Sequence, residues 1–262
     1  MKGERLPSVN PRPLVLGLLS LAALAGLWQL LAATGTVNTF LTSSPSRVAT
    51  ALVAQIRAGI LGRDVATSME ELGIGFAMAA FAGVAVGLAV GRYRTAEYAV
   101  NPFVSIGYSA PFVALYPVFT VLFGLGRPTV IATAFLLGVF PIVVNTARGV
   151  KGVDPKLVQV ARSFGAREAQ IFYKITLPAS VKAVMAGLRL GLGQTLLGVI
   201  IGELFVGNAG LGYEISYYGG LERTDQMLAA VVVTGLLGIV LTGLVGLIER
   251  QIDAWRPDIG GR

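Results

Sequence analysis

Two ionisable residues, Arg189 and Glu203, stand inside a long apolar stretch of this chain. Charges at membrane depth are costly, and the groups that persist there bind ions, relay protons or satisfy backbone groups. The two are fourteen positions apart, roughly 21 Å along a helix at about 1.5 Å per residue, so they do not pair within one copy. Glu203 precedes the glycine-rich run "NAGLGYEI" at 208–215, and its carboxylate can accept amides near Asn208 to Gly212. Arg189 can snorkel to an interface or attract an anion. The chain has no Cys and no His, which excludes thiolate, disulfide and imidazole chemistry and His-ligated metals. None of its five lysines is followed by Ser or Thr, so a phosphate-cradling Walker loop is excluded too. No strand precedes 208–215, so its glycines do not read as a dinucleotide site. A non-catalytic chain without metal or cofactor of its own is the expectation.

Apolar helices must position these residues. The chain is 13% charged, against about 25% for soluble domains. Uncharged runs cover Leu14–Ala33, Leu72–Gly91, Pro102–Gly126, Pro128–Ala147 and Met227–Ile248. A sixth stretch, 181–206, is apolar except for Lys182, Arg189 and Glu203. A spanning helix needs about 20 apolar residues. The pattern predicts an all-α integral membrane protein with six spans, near 14–33, 70–91, 102–126, 128–147, 181–206 and 227–248. The run 14–33 is too long for the roughly 7–15-residue core of a signal peptide, so residues 1–13 read as a tail and 14–262 as one membrane domain.

With a cytoplasmic N-terminus, the inside segments hold fifteen Lys and Arg and the outside segments five. That bias places both termini in the cytoplasm. The basic residues lie between apolar runs and read as topology signals, not as a nucleic-acid surface. Residues 44–68 read as an external amphipathic segment along the membrane, with Glu70 and Glu71 at the outer entry to the second span. Gly83, Gly87 and Gly91 recur every fourth residue, as do Gly187 and Gly191, and Gly198 and Gly202. Small residues at that spacing let helix backbones approach closely. Pro111 and Pro117 interrupt the third span and free carbonyls, beside the hydroxyls of Tyr108, Ser109 and Tyr116. Lining of a substrate pathway and plain kinking are both open for these five residues, as are pathway and cap for Glu203.

One polar island, "DPKLVQVARSFGAREAQIFYKITLP" at 154–178, separates the fourth and fifth spans. Asp154 suits an N-cap and Pro155 the first helical position. Leu157, Val160, Ala161 and Phe164 fall at i, i+3, i+4 and i+7, one apolar face. Lys156, Gln159, Arg162 and Ser163 lie opposite, and Gly165 suits a left-handed cap. A second short helix is expected over 167–174, stopped by Leu177-Pro178. A helix pair with an apolar face and a basic rim fits a groove on a partner protein.

These residues resemble the EAA loop of permeases from binding-protein-dependent ABC importers. Gln159-Val160-Ala161 stands at the Glu-Ala-Ala triplet, Gly165 at the glycine, and Ile175, Leu177 and Pro178 at the closing Ile-x-Leu-Pro, with spacing intact. Gln159 and Val160 depart from the motif. "SAPFVALYPVFTVLFGLGRP" at 109–128, "GLRLGLGQTLLGVIIGELFVGNAGLGYEI" at 187–215 and "IERQIDAW" at 248–255 resemble the nitrate, sulfonate and taurine branch. The resemblance implies an inner-membrane permease that works as a dimer with a second copy of itself. It implies two ATPase subunits, which bind the ATP and Mg, and a solute-binding protein outside. Residues 159–166 (Gln159, Val160, Ala161, Arg162, Ser163, Phe164, Gly165, Ala166) with Leu177 and Pro178 would couple ATPase motion to the fifth span, Phe164 as apolar anchor and Arg162 on the rim. A small anion of the sulfonate, taurine or nitrate type is the expected cargo; pyrimidine vitamin precursors, riboflavin and aromatic carboxylates are alternatives within the class. An ion-coupled secondary transporter is the rival of another class, but the spans show no clear repeat and few ionisable groups.

Overall fold

The computed structural model describes residues 12–38, 42–109 and 115–254. The tail up to residue 11, and Pro111, lie outside the described residues. Every regular element among the described residues is helical. In chain order these are α1 (Arg12–Ala33), α2 (Pro45–Arg57), α3 (Ile60–Arg92), α4 (Arg94–Ser109), α5 (Tyr116–Phe123) and α6 (Arg127–Lys151). There follow α7 (Pro155–Ser163), α8 (Glu168–Ile171), a π-helical turn (Phe172–Thr176), α9 (Leu177–Val206), α10 (Leu211–Gly220) and α11 (Thr224–Ala254).

Five described segments are long and apolar enough to cross a bilayer: Val15–Ala33, Ile60–Arg92, Arg127–Lys151, Glu168–Val206 and Thr224–Glu249. The remaining expected span, 102–126, is described as two helices, with residues 110–114 between them outside the described residues. α4 ends at Ser109, and α5 has only eight residues, about 12 Å at roughly 1.5 Å per residue. Pro117 sits in the first turn of α5, where a missing N–H leaves no helical bond unmade. Gly124, at φ 81°, ends that helix.

α3 starts ten residues before the expected second span. Gly59, at φ 72°, turns the chain between α2 and α3. The first turns of α3 carry Asp64, Ser68 and Glu71 at i, i+4 and i+7, and all three are buried. Their polarity suggested a surface segment, but the fold takes them inside. Ser43 and Arg47 fasten the start of α2 to Asp225 of α11, with Ser43 Oγ donating at 2.6 Å and an Arg47 ion pair at 2.9 Å.

α6 is the central helix, packed between α3 and α9. The glycines at four-residue spacing explain how. A Cβ at Gly83 would stand 2.7 Å from Ile142 Cβ, one at Gly87 2.5 Å from Thr146 Cβ, and one at Gly91 2.5 Å from Val150 Cβ. On the other side Gly187, Gly191, Gly198 and Gly202 also meet α6. Lipid tails are as apolar as leucine, so close backbone contact supplies attraction that burial supplies in water. Leu72, Val130, Ala134, Leu192 and Val199 fill one end of this sandwich, and Ala79, Val139, Ile142 and Val143 the middle.

Candidate functional site

The island at 154–178 forms an exposed elbow. Asp154 Oδ1 accepts the Lys156 N–H at 2.8 Å, and Pro155 occupies the first position of α7. Gly165 follows at φ 79°. Its N–H donates to Arg162 O at 2.9 Å and that of Ala166 to Ala161 O at 3.0 Å, a Schellman closure. Arg162 Nε donates to Glu168 Oε1 at 2.8 Å and braces α7 against α8. Ser163 Oγ bonds back to Gln159 O. α7 has no buried residue. Leu157 is 53% exposed, Val160 54% and Phe164 87%.

The elbow runs into the membrane without a stop. The expected second helix, 167–174, is a single α turn, Glu168–Ile171, followed by the π turn and then α9. Leu177 and Pro178 lie within one continuous helical rod. The π turn explains this. Leu177 N–H reaches back five residues to Phe172 O. That wider turn eases the clash a proline ring makes with the carbonyl four residues earlier. Ile171 is buried beneath the elbow.

The opposite end of the bundle holds a buried polar clamp. The first turn of α10 presents amides with no helical acceptor. Gly210 N–H donates to Asp64 Oδ1 at 3.2 Å, Leu211 N–H to Ser68 Oγ at 3.0 Å, and Gly212 N–H to Glu203 Oε2 at 2.7 Å. Ser68 Oγ donates in turn to Glu203 Oε1 at 2.6 Å. Glu203 is 1% exposed. Anionic side chains also suit the positive end of a helix dipole. Glu71 and Glu214 are buried beside this clamp, and Glu70 pairs with Arg127 at the start of α6. Asp64, Ser68 and Glu214 escaped the sequence reading, and Glu71 was read only as standing at the outer entry to the second span; the i, i+4, i+7 spacing of Asp64, Ser68 and Glu71 was the available signal.

Of the residues expected along a pathway, Tyr108 and Ser109 end α4 and Pro117 sits in α5. Tyr116 is buried, its ring centroid 5.4 Å from that of Phe205 and its hydroxyl over Gly202. Tyr116 and Glu203 are thus enclosed by protein within one chain. Arg189 Nη1 meets Glu249 Oε2 of α11 at 3.3 Å, beside Gly246.

Glu214 lies on α10, too short to span a membrane. Burial, then the charge of Asp64 and a hydrogen bond to it, push its carboxyl up to about 6, against an opposing pull from Arg63. A raised carboxyl pKa stabilises the fold fully below the ordinary value of 4.5, and that contribution is lost as pH rises through about 6. Melting of the detergent-solubilised protein should therefore show wild type losing about 1–2 kcal/mol relative to Glu214→Gln between pH 4.5 and 7. Parallel pH profiles for the two proteins would refute this.

A helical bundle of this form matches known proteins. A chain of the MetNI methionine ABC transporter, solved in inward-facing conformations, superposes with a TM-score of 0.65 over 74% of this chain and 96% of that one, at 20% identity. Residues 79–254, which include the elbow, match the family model of the binding-protein-dependent transport system inner membrane component. The chain belongs to that family. It is a permease component of an ABC importer. A Methanocaldococcus jannaschii protein named as an ABC transporter permease is 33% identical over 95% of the permease and 94% of its own length. A Bacillus subtilis protein named as an aliphatic sulfonates transport permease is 29% identical over 94% and 89%. The match takes in α3 from Ala79, the elbow and α9, and leaves α1 and α2 outside.

Proposed function

We propose that the permease carries a small organic or inorganic anion of the sulfonate, taurine or nitrate type, handed over by a periplasmic or lipid-anchored binding protein and driven by two ATPase subunits. Two copies of the chain form the pathway in the inner membrane, each with six spans counting α4 and α5 as the third. Both termini and the elbow are cytoplasmic. The observation that carries this reading is α7: Leu157, Val160 and Phe164 form an apolar face that the described residues leave half or more exposed. Such a face on a capped, charged-rimmed helix fits a groove in a soluble partner, and in this family that partner is the ATPase. ATP and Mg belong to it. Closure of the ATPase pair displaces α7, and the uninterrupted rod from Glu168 to Val206 carries the displacement into the membrane. Arg162 acts as the brace to Glu168 and Gly165 as the bend. Gln159 and Val160, both exposed, face the ATPase and stand where the EAA motif has Glu and Ala. Tyr116 and Glu203 frame the external mouth and do not line it. The sulfonate-type cargo rests on the similarity to the Bacillus subtilis protein.

Phe164→Asp tests the seat. The variant should insert and melt like wild type, because Phe164 stands almost fully exposed among the described residues. ATPase co-purification and ATP-driven uptake of a labelled alkanesulfonate into proteoliposomes with binding protein should fall at least tenfold. Full ATPase recovery with Phe164→Asp would remove α7 as the seat. Full recovery of the ATPase with wild type, but no sulfonate, taurine or nitrate uptake, would remove the cargo assignment alone.

A further inference from the structure

The last residue of α3 touches the elbow. The Arg92 guanidinium lies 4.4 Å from the centroid of the Phe172 ring, within cation–π range. Phe172 is the first residue of the π turn. Arg92 lies outside 154–178, so the EAA-like motif does not include it. Beside α7 is a solvent-open cleft of about 190 Å³, lined by Gly91, Arg92, Val150, Val158, Arg162 and Glu168 among others. α7 is therefore not packed down on the bundle. It borders this open cleft, and its glycine turn and the Arg162–Glu168 pair set its angle to α8.

α3 itself has no room to move. Its glycine seam on α6 runs to Gly91, where a Cβ would meet Val150. At its other end the same helix presents Asp64 and Ser68 to the amides of α10. One continuous helix of 33 residues thus joins the Phe172 contact to the α10 clamp.

We propose that Arg92 is a positioning residue for coupling: it pins the π turn to α3, so that movement of α7 shifts α3 along with α9 and reaches the α10 clamp. The inference rests on the reading of α7 as the ATPase seat. It also separates two routes, because without the pin only α9 carries the motion.

The test uses the complete complex of permease, ATPase and binding protein in nanodiscs, nucleotide-free or trapped with ATP and vanadate. Hydrogen exchange is followed over 207–220. Trapping should change exchange there at least tenfold in wild type. Arg92→Ala and Phe172→Leu should at least halve that change, leaving the part that α9 carries through Glu203, while the ATPase still co-purifies. Phe172→Tyr, which keeps the aromatic face, should respond as wild type does, and Arg92→Lys should fall between. If Arg92→Ala does not fold, the Phe172→Leu and Phe172→Tyr pair decides. A wild-type response retained in Phe172→Leu, or absent from wild type itself, overturns the role of Arg92. Loss of ATPase binding to wild type is a different failure and strikes the α7 seat.

Discussion

Gly87→Leu is expected to stop α3 from seating on α6 and to leave little folded permease in the membrane. A Cβ at this position would stand 2.5 Å from Thr146 Cβ and 2.8 Å from the Val143 carbonyl. Real Cβ contacts are not that short, and the obstruction is partly backbone, so no rotamer change relieves it. Overpacking a close-packed interior costs about 1–3 kcal/mol and occasionally more; a helix that must lift away also loses the neighbouring Gly83 and Gly91 contacts. We expect about 3 kcal/mol or more, which for a membrane domain of this size lowers Tm by roughly 6 °C or more. Gly73→Ala is the internal control. Gly73 lies on the same helix with nothing within 4 Å of the added Cβ, and alanine is the better helix former by about 0.5–1 kcal/mol. Its Tm should hold or rise. If Gly87→Leu melts with Gly73→Ala, the seam is not what holds α3.

How far these features could be read from sequence follows from the range of the forces involved. The glycine seam was legible because its four-residue spacing is local, and only the identity of its partner, α6, needed the fold. The caps of α7 were legible for the same reason: Asp154, Pro155 and Gly165 act within a few residues. Pro178 misled because a proline rule assumes α geometry on its N-terminal side, and here a π turn precedes it. Hydropathy placed the end of the third expected span at residue 126, whereas the helix ends at Phe123, because an apolar count cannot see that Gly124 turns the chain. The clamp was hidden for a different reason. Asp64 and Ser68 find their partners 146 and 143 residues away, so their polarity argued for solvent until α10 was in place.

Glu203→Ala should release α10 from the bundle while leaving the membrane helices intact. The carboxylate accepts from Ser68 Oγ and from Gly212 N–H in a site that water does not reach. Its removal strands both donors, and each buried orphan costs about 1–3 kcal/mol. Ser68 is held in turn by the Leu211 N–H, so the loss spreads along the first turn of α10. The helix end also loses a compensating negative charge, about 0.3–1 kcal/mol. A local loss near 3 kcal/mol corresponds to roughly a 100-fold rise in amide exchange at 210–214, at about 1.4 kcal/mol per tenfold. Glu203→Gln keeps the shape and one acceptor oxygen but turns an N–H₂ towards a donor, so its exchange should rise less, about tenfold. These two variants also separate a cap from a substrate contact. A cap predicts that uptake falls in proportion to exposure of α10, in both variants. A group that touches the cargo predicts lost uptake in Glu203→Gln with exchange unchanged, and that result would return Glu203 from the frame of the mouth to its lining.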